Sequence, residues 1–182
     1  MKFKVYGALA LVLGVRCFSV AHAALEQSRY FQADGKKTEH YISDGVVVGG
    51  DPAIHSVRVT EIRRAANPKF ERIVIDLDAS RADGEVTALA RPPYYQVSVN
   101  PEEKRIVYTL WGKPQLDFQA QKVMAAFKKS RVVESVELLP AVNPDQWTFV
   151  LNLKAGSPVE VFDLTQPARI ITDIRLGRSL PK

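Results

Sequence analysis

Asp76 and Asp173 occupy the same place in two near-identical strings, RIVIDL (72–77) and RIITDI (169–174). Two carboxylates can act as a general acid and base only if their surroundings push their pKa values apart. In an alternating pattern each would fall on the outer face of its strand, solvated or paired with an arginine. Of the three histidines, only His40 and His55 lie beyond the N-terminal leader argued below, and neither stands among carboxylates at ligand spacing. No zinc site is expected. The single cysteine, Cys17, belongs to the same leader, so no thiol nucleophile or thiolate ligand is expected beyond it. The chain carries no Gly-x-Ser-x-Gly elbow, phosphate loop or dinucleotide fingerprint. These absences point away from catalysis, and neither a metal nor a cofactor is expected. What is left is recognition. Tyr94, Tyr95 and Trp111 lie at strand edges beside Pro93 and Gly112. Exposed aromatic faces stack on sugar rings, and guanidiniums hold acidic groups. Tyr94, Tyr95, Arg72 and Arg105 are therefore the candidate ligand-binding residues, whereas Trp111 reads as a cap on the core.

Charge and the N-terminus narrow the partners. Lys2 and Lys4 precede an uninterrupted apolar run, Val5 to Val15, and Ala-His-Ala at 21–23 offers small residues to a signal peptidase. Residues 1–23 are expected to be a secretory signal peptide. The run is too short to span a membrane, which takes about 20 apolar residues. The whole chain has 25 Lys+Arg, 20 Asp+Glu and a formal net charge of +5. Without Lys2, Lys4 and Arg16 the balance is 22 against 20, a net charge of only +2. Basic residues occur as scattered pairs (Lys36-Lys37, Arg63-Arg64, Lys128-Lys129), not as the stripe that a nucleic-acid surface needs. The expected protein is exported, periplasmic or envelope-associated, with no integral span in its mature form and no nucleic-acid partner.

These residues must be carried by strands. Residues 24–52 are polar and aperiodic, a flexible or partly ordered arm. From 53 to 178 the pattern alternates, and 179–182 is a tail. In RIVIDL, Ile73, Ile75 and Leu77 face one side and Arg72, Val74 and Asp76 the other, the mark of a half-buried strand. Ile62 falls out of phase with Val57 and Val59, so a bulge is expected there. One stretch, 117–130, instead places Ala120, Val123, Met124 and Phe127 at helical spacing, with Asp117 as N-cap.

The pattern also repeats. QVSVNPEEKRIVYTL (96–110) aligns with EVFDLTQPARIITDI (160–174) at an offset of 64, and ERIVIDL (71–77) with WTFVLNL (147–153) at an offset of 76. A sheet with one apolar face must bury it, and two similar meanders can cover each other. The expectation is a mainly all-β, two-sheet sandwich with internal duplication and one short helix. Its core would hold Ile73, Ile75, Leu77, Ile106, Tyr108, Leu110, Trp147, Phe149, Leu151, Ile170 and Ile174. If the RIVIDL and RIITDI strands were antiparallel neighbours, Arg72 would face Asp173 and Arg169 would face Asp76. Exposed pairs of that kind are worth about 0–1 kcal/mol.

FERIVIDLD, PPYYQVSV, LWGKPQL and VEVFDLTQPARIITDI, in that order over roughly residues 56–176, resemble the AMIN domain and most of all its AMIN-like variants. The domain is the envelope-localising module found ahead of cell-wall amidases and in secretins. The resemblance implies a sandwich of two related sheets, an extracytoplasmic site, and binding to peptidoglycan or to an envelope protein, without catalysis. Only eight residues follow Ile174, so no catalytic or pore-forming domain is expected to be attached. The competing expectation is a protein–protein interaction subunit of a periplasmic assembly or secretion machine, marked by a free strand edge or an apolar patch.

Overall fold

The computed structural model describes residues 29–80 and 86–177. The expected leader (1–23), the start of the arm (24–28) and the tail (179–182) lie outside the described residues. The strands are β1 (Tyr30–Gln32), β2 (Gly45–Gly49), β3 (Val57–Ala66), β4 (Phe70–Ser80), β5 (Val86–Ala88), β6 (Tyr95–Asn100), β7 (Arg105–Trp111) and β8 (Pro114–Leu116). Helix α1 (Ala120–Phe127) follows, then β9 (Val133–Leu138), β10 (Gln146–Leu153), β11 (Val159–Leu164) and β12 (Arg169–Arg175). They form two mixed sheets packed face to face. One sheet runs β1-β2-β6-β7-β10-β9; the other runs β11-β12-β4-β3-β8, with β5 paired to β4. We call them the first and second sheets.

All eleven expected core residues are buried, none more than 1% exposed. Each large side chain removed from water contributes about 1.5–3 kcal/mol. The bulge lies between Val59 and Glu61 of β3, where the hydrophobic phase slips. The helix is shorter than expected. Val123 and Phe127 are buried, but Met124 is 41% exposed. Asp117 does not cap it: Gln119 is the N-cap and makes no side-chain bond. The Asp117 carboxylate instead accepts from Arg58 at 3.1 Å, and its N–H bonds to Val59 O, so β8 runs straight on along the β3 edge before the helix begins.

The duplication is built differently from two meanders stacked whole. Each half divides between the sheets. Hairpin β3–β4 lies in the second sheet and β6–β7 in the first; β9–β10 lies in the first and β11–β12 in the second. Halves join through β7–β10 and β4–β12, and the two joints share one register. Arg105 opposes Asn152 as Arg169 opposes Asp76, and Trp111 opposes Gln146 as Arg175 opposes Phe70. The offsets of 64 and 76 thus superimpose one sheet on the other. Swapped hairpins give both halves a share of one core, which neither meander could bury alone.

The expected cross-strand pairs form. Arg72 donates to Asp173 at 2.7 and 2.8 Å, and Arg169 to Asp76 at 2.6 Å. They are not all exposed, however: Asp173 is fully buried. The roof is the arm. From residue 29 it is built into the fold, supplying β1 and β2 and bridging the β11 edge at Asp34–Phe162 and Ile42–Val159. Between those bridges Lys37 Nζ reaches Glu160 at 2.7 Å and Asp173 at 2.8 Å. The amides of Thr38 and Glu39 both donate to Glu160 Oε1 at 2.6 Å, with Glu39 at φ 62°. A left-handed residue there lets two successive N–H groups converge on one oxygen.

Asp76 also accepts from Arg63 at 2.7 Å. Burial works to raise its pKa, but the bonds from Arg63 and Arg169 outweigh that and hold it below the usual carboxylate value of 3.8. A lowered folded-state pKa supplies stability that is complete above the unfolded value and lost as pH falls through the folded one. Asp76→Asn is therefore expected to cost about 1 kcal/mol near pH 6. The gap to wild type should start to shrink as pH falls below about 4 and close only below the lowered folded-state pKa. Urea unfolding at pH 3 and pH 6 checks this; an equal gap at both would contradict it.

Candidate functional site

The internal symmetry allows the outer faces of the two sheets to be compared position by position. On the second sheet, Glu160, Asp173 and Arg72 form one cross-strand row, and Asp76 and Arg169 another. The same backbone positions on the first sheet hold Gln96, Thr109 and Thr148, and then Asn152 and Arg105. Every acid has become an amide or a hydroxyl. Thr109 and Thr148 share a hydrogen bond at 3.2 Å. Arg105 Nε donates to Asn152 Oδ1 at 3.1 Å, and Asn152 Nδ2 donates to Ser135 and Glu137 at 2.9 and 2.6 Å. The centre of the face is Ser98, Val107 and Val150.

Tyr94 and Trp111 stand at one end of this face. Their rings lie 5.0 Å apart, tilted by 48°. Gln96 Nε2 donates to the Tyr94 hydroxyl at 2.8 Å, tying the ring to the hydroxyl–amide ladder. Beside the pair opens a groove of about 370 Å³, lined by Pro52, Ile54, His55, Lys113 and Asp145. Its floor depends on Gly112, at φ 91°, where a Cβ would come within 2.7 Å of Ile54 O. At the other end is Arg105, six residues along β7 and hence about 20 Å away. Its side chain is 48% exposed and meets a carboxylate, Glu103, only at 3.5 Å.

The four candidate residues are not brought together. Tyr94 and Arg105 share the outer face of the first sheet. Arg72 lies on the outer face of the second, half-covered and engaged with Asp173. Tyr95 is in the core at 0% exposure. Successive strand residues point to opposite faces, so adjacent tyrosines cannot both face outward. Alternation with Val97 and Val99 already assigns Tyr95 to the inside. Its hydroxyl donates to Asp163 across the sandwich at 3.2 Å. Burial, reinforced by the Asp163 charge and hydrogen bond, pushes the Tyr95 phenol well above its usual value. Burial likewise raises the Asp163 carboxyl, against the bonds from Tyr95 and Gly50. Trp111, expected over the core, instead lies partly buried on the outer face, following Thr109 in the same phase.

Compared with known proteins, the chain matches no family model and no curated protein. The site is read from its own geometry. Aromatic faces at one end, a ladder of amides and hydroxyls in the middle with the Glu137 carboxylate at its β9 edge, and a weakly neutralised guanidinium at the other end suit a long, polar, mainly uncharged ligand with an acidic group. Among the described residues no group of three or more His, Cys, Asp or Glu side chains could hold a metal.

Proposed function

We propose that this chain is an exported, non-catalytic binding module of the AMIN-like kind that attaches to peptidoglycan in the cell envelope. The observation that carries the reading is the outer face of the first sheet. It keeps the scaffold of its twin but replaces the acidic members of the ion pairs with amides and hydroxyls, and it ends in Tyr94 and Trp111. A glycan strand offers ring faces to the aromatics, hydroxyls to the ladder, and carboxylates to Arg105. Export rests on the sequence of residues 1–23. No helix among the described residues is long and apolar enough to cross a membrane.

The test is retention of the chain from residue 24 on purified peptidoglycan sacculi. Wild type should be retained. A Tyr94→Ala/Trp111→Ala variant should bind about tenfold more weakly, the loss of about 1.4 kcal/mol expected when partly exposed stacking faces are removed. No retention of wild type would move the reading to a protein partner, as in a periplasmic assembly or secretion machine. Undiminished retention of the variant would discard the face. The protein-partner reading has one specific observation in its favour, the free strand edge described next.

A further inference from the structure

The β3 edge is only partly used. Leu77 N–H bonds to Ala168 O, on the β12 side, so the odd-numbered residues of β4 address β12 and the even-numbered ones address β3. Their partners on β3 past the bulge are Glu61, opposite Asp76, and Arg63, opposite Val74. The main-chain N–H and C=O groups of Ile62 and Arg64 must then point away from β4. Before the bulge the same edge is occupied: β8 pairs with Val57–Val59, Val57 N–H bonds to Gly112 O, and Asp117 N–H to Val59 O. After the bulge, no described residue makes a backbone hydrogen bond to Ile62 or Arg64 on this side. A helix cannot fill the vacancy, because the polar groups of its interior backbone are already satisfied.

A groove of about 470 Å³ runs along this stretch, between β3 and α1. Five consecutive β3 residues, 60–64, line it, as happens when a strand presents its main chain and not one face. Phe118, Val123 and Ala126 form its apolar wall. Asp117 closes one end through Val59, and at the other Arg64 Nε bonds to Ala126 O at 3.2 Å. The opening between is about four residues of strand, roughly 13 Å. At the rim Lys122 is 74% exposed; its carboxylate, Glu61 at 3.5 Å, is also contacted by Arg63 at 3.7 Å.

We propose that this edge takes a short extended peptide of a partner protein, added as a strand in line with β8. One apolar side chain would seat against Phe118 and Val123, and an acidic one would reach Lys122. Main-chain bonds from Ile62 and Arg64 supply the affinity, as in other strand additions, and the wall selects the side chain. The site is separate from the outer face of the first sheet, so the module could hold the wall and a protein at once.

The probe is a blocked tripeptide of valine, aspartate and threonine with the aspartate central, short enough for the opening, titrated into the ¹⁵N-labelled protein. A twin peptide, N-methylated at alternate residues, lacks the N–H groups that strand pairing requires. The plain peptide should shift the amides of Ile62, Arg64 and Val123 to saturation. The twin should bind at least tenfold more weakly. Ala126→Trp, which fills the groove from the half-exposed side of the helix, should abolish the shifts while leaving the unfolding midpoint unchanged. Absence of shifts at Ile62 and Arg64, equal response to the two peptides, or undiminished binding by folded Ala126→Trp would each overturn the proposal. Should that variant fail to fold, the comparison of the two peptides on wild type decides.

Discussion

Lys37→Met is expected to lower the unfolding free energy by about 3 kcal/mol, the low end for stripping one partner from a buried ion pair. Glu160 and Asp173 are 2% and 0% exposed and oppose each other across β11 and β12. Lys37 bridges them. Methionine keeps most of the aliphatic stem but leaves two carboxylates side by side with one cation, Arg72. The loss stays at the low end because Arg72 holds Asp173 and the Thr38 and Glu39 amides hold Glu160. Burial disfavours the charged lysine, but its bonds to Asp173 and Glu160 prevail and raise its pKa above the usual 10.5. A raised folded-state pKa gives stability that is fully present below the unfolded value, so the whole effect is visible at pH 7. Lys37→Arg, which keeps the charge, should recover most of it. The arm should also open locally in the methionine variant: the Val159 and Asp163 amides, bonded to Ile42 O and Asp34 O, should exchange faster than the central strands. A midpoint within experimental error of wild type would mean that the arm merely lies on the sheet.

Much of this could be read from residue order. Period-two alternation in RIVIDL, RIVYTL and RIITDI placed the core, because a buried face leaves no freedom of register. The duplicated strings even predicted which arginine faces which aspartate. Three things were not legible. Swapped hairpins and stacked meanders leave the same strings in the chain, and only strand pairing distinguishes them. Between β1 and β2 the arm has no period of its own, since that stretch is held by single side chains and two bridges, so Lys37 looked like a surface lysine. The proposed binding face was hidden for a subtler reason. Gln96, Thr109, Thr148 and Asn152 carry no unusual chemistry, and they stand out only against Glu160, Asp173, Arg72 and Asp76 in the twin positions. The offsets contain that comparison, but its meaning requires knowing that both sets face outward on equivalent sheets. Tyr95 was the reverse case: its neighbours' alternation was decisive, and its aromatic ring was the distraction.

The same symmetry makes the core unequal, and this sets the last expectation. On the inner side of the first sheet Tyr108 and Phe149 stack at 4.3 Å, with ring planes within 4°, and Trp147 continues the stack at 5.1 Å. The offsets place Thr172, Ile73 and Glu71 at the corresponding positions of the second sheet. The second sheet's share is smaller in volume, so the aromatic stack must fill the space between the layers. Phe149→Ala should therefore cost about 3–5 kcal/mol, the lost transfer energy plus a cavity that rigid strands on both sides cannot collapse. Ile73→Val, at its twin position, removes one methylene and should cost about 0.5–1.5 kcal/mol. Both residues are at most 1% exposed, so the difference comes from the size of the group removed and the cavity it leaves. Equilibrium denaturation of the two variants separates the possibilities. Losses of similar size would show that the layers can close over a missing ring, and the stack would then be filler. A gap of 2 kcal/mol or more would match a ring-sized cavity that stays open between the layers beneath the face that carries Tyr94 and Trp111.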